Sequence, residues 1–366
     1  MKTQQQPLKA AIVGLRIHAG NLHPDRGHGL LKSFKAQEDV EIVAYCEWAP
    51  DQAAALDEIR QFDSHAHFYN DFEEMLDNEE IDFAVVMLSP DEAAPAATRL
   101  AEAGIHLYIE KQAARTATEM RPLRDIAVRK NLVTQVGYPW PAHPVAIEIK
   151  RLIDDGVLGR LLDIEARLVT LAVRPGHREP EHWMYRPETE GGGILHMEGG
   201  HWLTLFRVFS GAAAKSVTAL CGRVDGHSAE SIEDVATVAL EFANGVHACL
   251  HMGYLLPGVG PRNDTYFGLR GTLGTATWQP TGSGELTVAS TAPGWETAPI
   301  RHFSMEVIER SVYANQWGHD FVVEFIRAIR QGGQTTVSID FALSVMQIID
   351  AAYESSRTVR RIELTD

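Results

Sequence analysis

"KAAIVGLRIHAG", Lys9–Gly20, is the stretch that decides the fold. The run "KAAIVGL", Lys9–Leu15, reads as a short buried strand, and Gly14 opens the turn after it. A turn that cradles a dinucleotide spaces small residues as G-x-G-x-x-G, so that the backbone bends tightly and approaches the pyrophosphate. Here Gly14 takes the first place, Arg16 the second and Ala19 the third. Alanine is tolerated in the third place. Arg16 departs from the pattern: its side chain has to leave the space of the phosphates, and its guanidinium can pair with them from the side. A strand-to-helix turn that binds nothing is the competing reading, and the turn alone does not separate the two. Pro24, Gly27 and Gly29 then interrupt the expected first helix, which predicts a kink or an inserted loop there.

Four more strand-like runs follow: "VEIVAYCE" (40–47), "DFAVVML" (82–88), "HLYIE" (106–110) and "LVTQVGY" (132–138). Helix-like stretches separate them, at 51–62, 71–78, 92–104 and 119–131. Continuous apolar strands alternating with amphipathic helices predict a parallel sheet covered on both faces. Residues 1–137 are therefore expected to form a doubly wound, dinucleotide-binding α/β domain. Residues 138–366 read differently. A helix over 143–159 is followed by a long strand, a glycine-rich loop, a helix from His201, and a series of strand-like runs without helices between them. Asn244–Gly245 marks a hairpin between two of those runs. The second domain is thus expected to be α+β with an open, mostly antiparallel sheet, closed by helices near 319–333 and 340–358.

The chain has 366 residues, of which 45% are hydrophobic and 22% charged, enough to bury a core in each domain. The formal net charge of −16 disfavours nucleic acid and anionic membrane as partners. Three cysteines, Cys46, Cys221 and Cys249, without C-x-x-C spacing, argue against a disulfide framework or a structural zinc site. The apolar run near the N-terminus is too short for a signal peptide or a membrane span. A cytoplasmic location is the expectation.

Two strand ends carry chemistry. Glu47 closes the second strand, where a carboxylate accepts hydrogen bonds from the ribose hydroxyls of an adenosine and repels a 2′-phosphate. No arginine follows it, so NAD is expected in preference to NADP. Glu110 and Lys111 end the strand "HLYIE", at the edge that faces the ligand crevice of an open α/β sheet. A lysine there can polarise or deprotonate a substrate hydroxyl; a surface lysine is the plainer alternative.

The second domain contains "GGGILHMEGGH", Gly191–His201. Three readings are open. His201 can act as general acid/base, with Glu198 orienting it. His196, Glu198 and His201 can bind a metal, although their spacing is not that of a helical zinc site. Or the segment is a packing turn. Two loops offer aromatic and cationic groups suited to sugar recognition: His177, His182, Trp183, Tyr185 and Arg186 upstream, and Tyr138, Trp140 and His143 at the domain entry.

Taken in order, Gly14, Glu47, the turn Ser89–Pro90, "EKQ" at Glu110–Gln112 and "GGGILHMEGGH" resemble the Gfo/Idh/MocA oxidoreductases over nearly the whole chain. The resemblance implies a Rossmann domain followed by a mixed domain whose open sheet packs on another subunit, in a dimer or tetramer. It implies bound NAD and hydride transfer at a secondary alcohol of a sugar or cyclitol. It assigns the family's catalytic lysine to Lys111 and its histidine to His201, and it places Gly14, Arg16, Ala19, Glu47, Ser89, Pro90, Glu110 and Lys111 around the cofactor. Tyr138, Trp140, Trp183, Arg186 and His196 become the substrate candidates, with no metal required. The family's aspartate, four residues before the histidine, falls on Met197, which cannot accept a proton. Two other activities stay open at this point. One is glycoside hydrolysis through transient oxidation by NAD; the other is a non-catalytic binding protein of the same fold.

Overall fold

The computed structural model describes residues 6–15, 29–49, 53–171, 183–224, 232–256, 259–280, 284–310, 312 and 314–364. Arg16, Ala19, Pro24, Gly27, His177 and His182 lie outside the described residues.

The chain divides into two compact units. In the first, strands β1 (Leu8–Val13), β2 (Val40–Cys46), β3 (His67–Tyr69), β4 (Phe83–Val86), β5 (His106–Ile109) and β6 (Thr134–Val136) form one parallel sheet in the order β3-β2-β1-β4-β5-β6. This is a doubly wound order, and the direction of winding reverses between β1 and β4. The central strands are buried on both faces: every residue of Phe83–Val86 is inaccessible, as their continuous apolar sequence requires. Between the strands run α1 (Leu30–Lys35), α2 (Ala53–Phe62), α3 (Phe72–Asn78), α4 (Pro90–Glu102) and α5 (Ala117–Arg129). Their starts are chemically marked. Asp71 accepts the Glu74 amide at 3.0 Å, and Thr116 accepts the Glu119 amide at 3.3 Å while Glu119 reaches back to the Arg115 amide at 3.1 Å. Proline stands at the first position of α4, where its missing N–H is not needed.

The second unit contains α6 (Pro144–Asp154), β7 (Leu161–Thr170), α7 (Pro187–Glu190), α8 (Ile194–Ser210), β8 (Ala214–Gly222), β9 (Val235–Phe242), β10 (His247–Gly253), β11 (Asn263–Gly271), β12 (Gly274–Trp278), β13 (Glu285–Ser290) and β14 (Ile300–Ser304). With the short β15 (Ile362–Glu363) these strands form a sheet in the order β14-β13-β12-β11-β7-β10-β9-β8-β15. Only β7 and β10 run parallel to each other; the other pairs are antiparallel. The hairpin at Asn244–Gly245 joins β9 to β10 with Gly245 at φ 83°, the left-handed region that glycine adopts without strain. One face of the sheet, with Ile164, Ala166, Val238, Leu250 and Phe267, is buried, and α8 lies against β7, β9 and β10. The other face is open and polar. There Arg270 pairs with Asp163 and with Glu165, and Arg167 with Asp264.

The chain then returns to the first unit through Ile308–Phe341, which includes α9 (Asn315–Gln331). Phe325 packs edge-on against Phe83 and Tyr108, and the Gln135 side-chain amide donates to the Phe321 carbonyl at 2.6 Å. This return is not visible in a linear reading that divides the chain once, at residue 137. The final helix, α10 (Ile339–Thr358), begins in the first unit and continues in the second.

Candidate active site

All six strands of the first sheet are parallel, so their carboxyl ends share one edge. Gly14, Glu47, Ser89 and Glu110–Lys111 all follow strands at that edge. Gly14 has φ 81°, and a Cβ there would run into the Leu88 side chain and lie 2.9 Å from the Met87 carbonyl oxygen. No side chain fits between this turn and the residues after β4, so the position requires glycine. Glu47 is buried, and its carboxylate is fastened by two backbone amides: Leu15 donates at 2.7 Å and Ala49 at 2.8 Å. A carboxylate fixed in this way is the kind of acceptor that ribose hydroxyls require. Ser89 precedes α4; its hydroxyl donates to Asp91 at 2.6 Å rather than capping the helix, and Pro90 begins the first turn. A glycine in the left-handed region at the end of β1, a fixed carboxylate at the end of β2 and a helix N-terminus facing the same edge together fit a dinucleotide.

Lys111 is the second residue after β5 and is half-buried. Glu110 before it is 1% exposed, and among the described residues neither carboxylate oxygen meets a donor of good hydrogen-bond geometry. Burial pushes its pKa up to about 8, against the opposing pull of the Lys111 charge and amide.

In the second unit α8 carries the histidine motif. The two glycines inside it, Gly199 and Gly200, weaken a helix in principle, and the sequence places the helix only from His201 onward. The helix is instead continuous from Ile194 to Ser210. Gly200 explains itself: a Cβ there would lie 2.5–2.7 Å from the Tyr138 ring, so the glycine lets Tyr138 cross the helix closely. Tyr138 is buried and meets the His201 ring edge-on at 5.3 Å. Helical geometry sets Met197 about 40° and Glu198 about 60° from His201, on either side of it. Met197 is buried, and its sulfur accepts the Tyr254 hydroxyl at 3.4 Å. Glu198 is half-buried. His196 is fully buried, with its ring 3.4 Å from the Glu190 carboxylate. Among the described residues no three or more His, Cys, Asp or Glu side chains are arranged to hold a metal ion.

The glycines ahead of α8 are packed against a carboxylate that the sequence did not single out. Glu233 accepts the amides of Gly193 at 2.8 Å and Leu195 at 2.9 Å, and the Tyr353 hydroxyl at 2.8 Å. Burial raises its pKa, and these donors oppose the rise. A Cβ on Gly193 would collide with the Glu233 backbone carbonyl, and one on Gly192 with the Tyr353 hydroxyl. The only signal for this in sequence was the run of three glycines itself, which demands that something lie close to the backbone.

The loop residues take varied places. His143 caps α6, accepting the Val145 amide at 3.2 Å, and burial lowers its pKa to about 4. Trp140 stacks on His143 at 5.7 Å and on Trp202 at 6.1 Å. Trp183 and Tyr185 lie on a 3-10 turn, and Arg186 follows it as the N-cap residue of α7.

Residues 8–138 match the oxidoreductase family with an NAD-binding Rossmann fold, and residues 146–277 match the GFO/IDH/MocA C-terminal domain. The chain is 23% identical over 319 residues to a levoglucosan dehydrogenase of Pseudarthrobacter phenanthrenivorans, covering 78% of this chain and 81% of that protein. It is 24% identical to an inositol 2-dehydrogenase of Rhizobium meliloti over 91% of this chain and 94% of that one. It is also 29% identical to a D-glucoside 3-dehydrogenase of Escherichia coli over 65% and 68%. The fold is shared with a levoglucosan dehydrogenase solved in complex with NADH and L-sorbose, at a TM-score of 0.83 and 19% identity, covering 99% of this chain and all of that one. An Agrobacterium radiobacter oxidoreductase, solved with NAD+, L-tartaric acid and magnesium, superposes with a TM-score of 0.81 at 18% identity over 98% of both chains. With both domain types matched in order on a shared fold, this chain belongs to the GFO/IDH/MocA family of oxidoreductases and carries its NAD-binding Rossmann domain.

Proposed function

We propose that the protein is an NAD-dependent dehydrogenase acting on a secondary alcohol of a sugar or sugar derivative. The observation that carries this reading is the pair Glu47 and Lys111 at one edge of one parallel sheet. Glu47 suits ribose hydroxyls and disfavours a 2′-phosphate, which argues for NAD over NADP. When bound, the nicotinamide supplies the acceptor or donor of the hydride. Lys111 binds the reacting oxygen and polarises it. His201 takes up or returns the hydroxyl proton, with Glu198 near it on α8 to orient it. Met197 offers no proton acceptor, so the relay rests on His201 and Glu198. Tyr138, Trp140, Trp183 and Arg186 are the proposed substrate-side residues; His196, fully buried against Glu190, is not placed to touch a substrate. The sugar and cyclitol dehydrogenases among the relatives support the substrate class.

The open polar face of the second sheet is the proposed contact in a homodimer or tetramer, whose mass native mass spectrometry would read. A cytoplasmic location agrees with three unpaired thiols, and no helix among the described residues is long and apolar enough to cross a membrane. The deciding experiment is Lys111→Ala. Turnover is expected to be lost while NAD binding stays measurable by calorimetry. Undiminished activity in that variant would overturn the mechanism.

A further inference from the structure

A cavity of about 510 Å³ opens in the second unit beside the glycine turn that precedes α8. Its walls come from that turn, the end of β8, the Glu233 segment and the last turns of α10. His201 and Glu198 are not among the described residues that line it. Tyr353, Ser356 and Arg357, spaced three and four residues apart, share one face of α10. That face is fastened to β8, where Ser356 Oγ accepts the Cys221 amide at 2.8 Å. Arg223, two residues beyond Cys221, reaches the same cavity. Both arginines are exposed, and among the described residues neither pairs with a carboxylate, whereas Arg270 and Arg361 each pair with two. Acids outnumber bases 49 to 33 in this chain, so two guanidinium groups kept clear of them around one cavity mark a place of positive potential.

We propose that this cavity is a second ligand site, which binds a small organic anion through Arg223 and Arg357. A guanidinium offers paired N–H donors that match a carboxylate or a phosphate group equally well. The volume falls within the range of small-molecule sites, roughly 300–1,000 Å³, and exceeds what a lone inorganic ion fills. Ser356 and the bare backbone of Gly191 and Gly192 line the space for the rest of the molecule. The Glu233 carboxylate in the wall already accepts the Gly193 and Leu195 amides and the Tyr353 hydroxyl, and these donors offset its charge. An anion held at the arginines thus lies beside the pair that pins the start of α8. The site stands whether or not the proposed dehydrogenase mechanism does, because it uses none of the residues of that mechanism.

The test measures binding, not turnover. Calorimetry of the full chain is run with citrate, with glucose 6-phosphate and with inorganic phosphate. At least one of the two organic anions is expected to bind with a Kd below about 1 mM, and the one that does names the anionic group. Inorganic phosphate is expected to bind at least about tenfold more weakly. The double variant Arg223→Gln/Arg357→Gln changes two exposed side chains and is expected to weaken the organic anion by at least about tenfold. Arg160→Gln, at an exposed arginine outside the cavity, is expected to leave binding unchanged. Hydrogen exchange of the wild type with the bound anion is expected to slow over residues 221–224 and 353–358, which line or flank the cavity. The proposal is overturned by no binding of either organic anion, by inorganic phosphate binding as tightly, or by a Kd unaltered in the double variant. An equal loss in Arg160→Gln, or slowed exchange confined to other segments, overturns it too. If the double variant does not fold, the exchange pattern of the wild type decides.

Discussion

Glu110 and His143 are titratable side chains stripped of water, and each gives up its charge in response. His143 does so usefully, since only a neutral imidazole can accept the Val145 amide and cap α6. For Glu110 the consequence is thermodynamic. An unfolded glutamate loses its proton near 4.5, whereas the folded one keeps it to about 8. Wild type is therefore expected to lose stability relative to Glu110→Gln as pH rises from 4.5 to about 8, with a constant gap above that. The gap is at most roughly 5 kcal/mol. Urea unfolding of both proteins at several pH values would check it; a gap that does not change with pH would contradict the buried neutral state. Met197 stands where the resemblance leads one to expect an aspartate, and its sulfur accepts the Tyr254 hydroxyl. Sequence shows the substitution, but it does not show Tyr254 as the partner.

α8 is the element on which the second unit's chemistry rests. Its entry is pinned by Glu233, and its middle is notched by Gly200 to admit Tyr138. Gly193→Ala is expected to destabilise the protein by at least about 3 kcal/mol, because the new methyl meets the Glu233 backbone, which cannot turn aside as a side chain would. Glu233→Gln keeps the volume but replaces one acceptor by a donor, leaving an amide unpaired, and should cost about 1–3 kcal/mol. Denaturant midpoints rank the two; a Gly193→Ala variant as stable as wild type would refute the close approach. The strands were more legible than these contacts. Alternation in β7, β9 and β10 separates a buried face from a polar one within each strand, and no distant residue is needed to see it.

At the scale of the whole molecule, the two units divide the proposed work, with the cofactor on the first and the acid/base helix in the second. A ligand that binds only the folded first unit stabilises the protein by mass action, about 2.7 kcal/mol at a hundredfold excess over its Kd. NAD is expected to raise the melting temperature in this way, and NADP to do so far less at equal concentration. Calorimetry with both dinucleotides measures the preference directly, and tighter NADP binding would remove the role given to Glu47.

The sequence by itself determined the two domain types, the parallel sheet, the hairpin at Asn244–Gly245, the strand-end positions of Glu47 and Lys111, and the family. Those features are local: periodicity, turn residues and spacing act between near neighbours in the chain. Only the tertiary structure decided that Ile308–Phe341 returns to the first unit, that Glu233 holds the glycine turn 40 residues away, and that Glu110 is buried against Gly137. The burial of a charge and the collision of a missing methyl depend on which distant atoms arrive beside it. That information resides in no segment read alone.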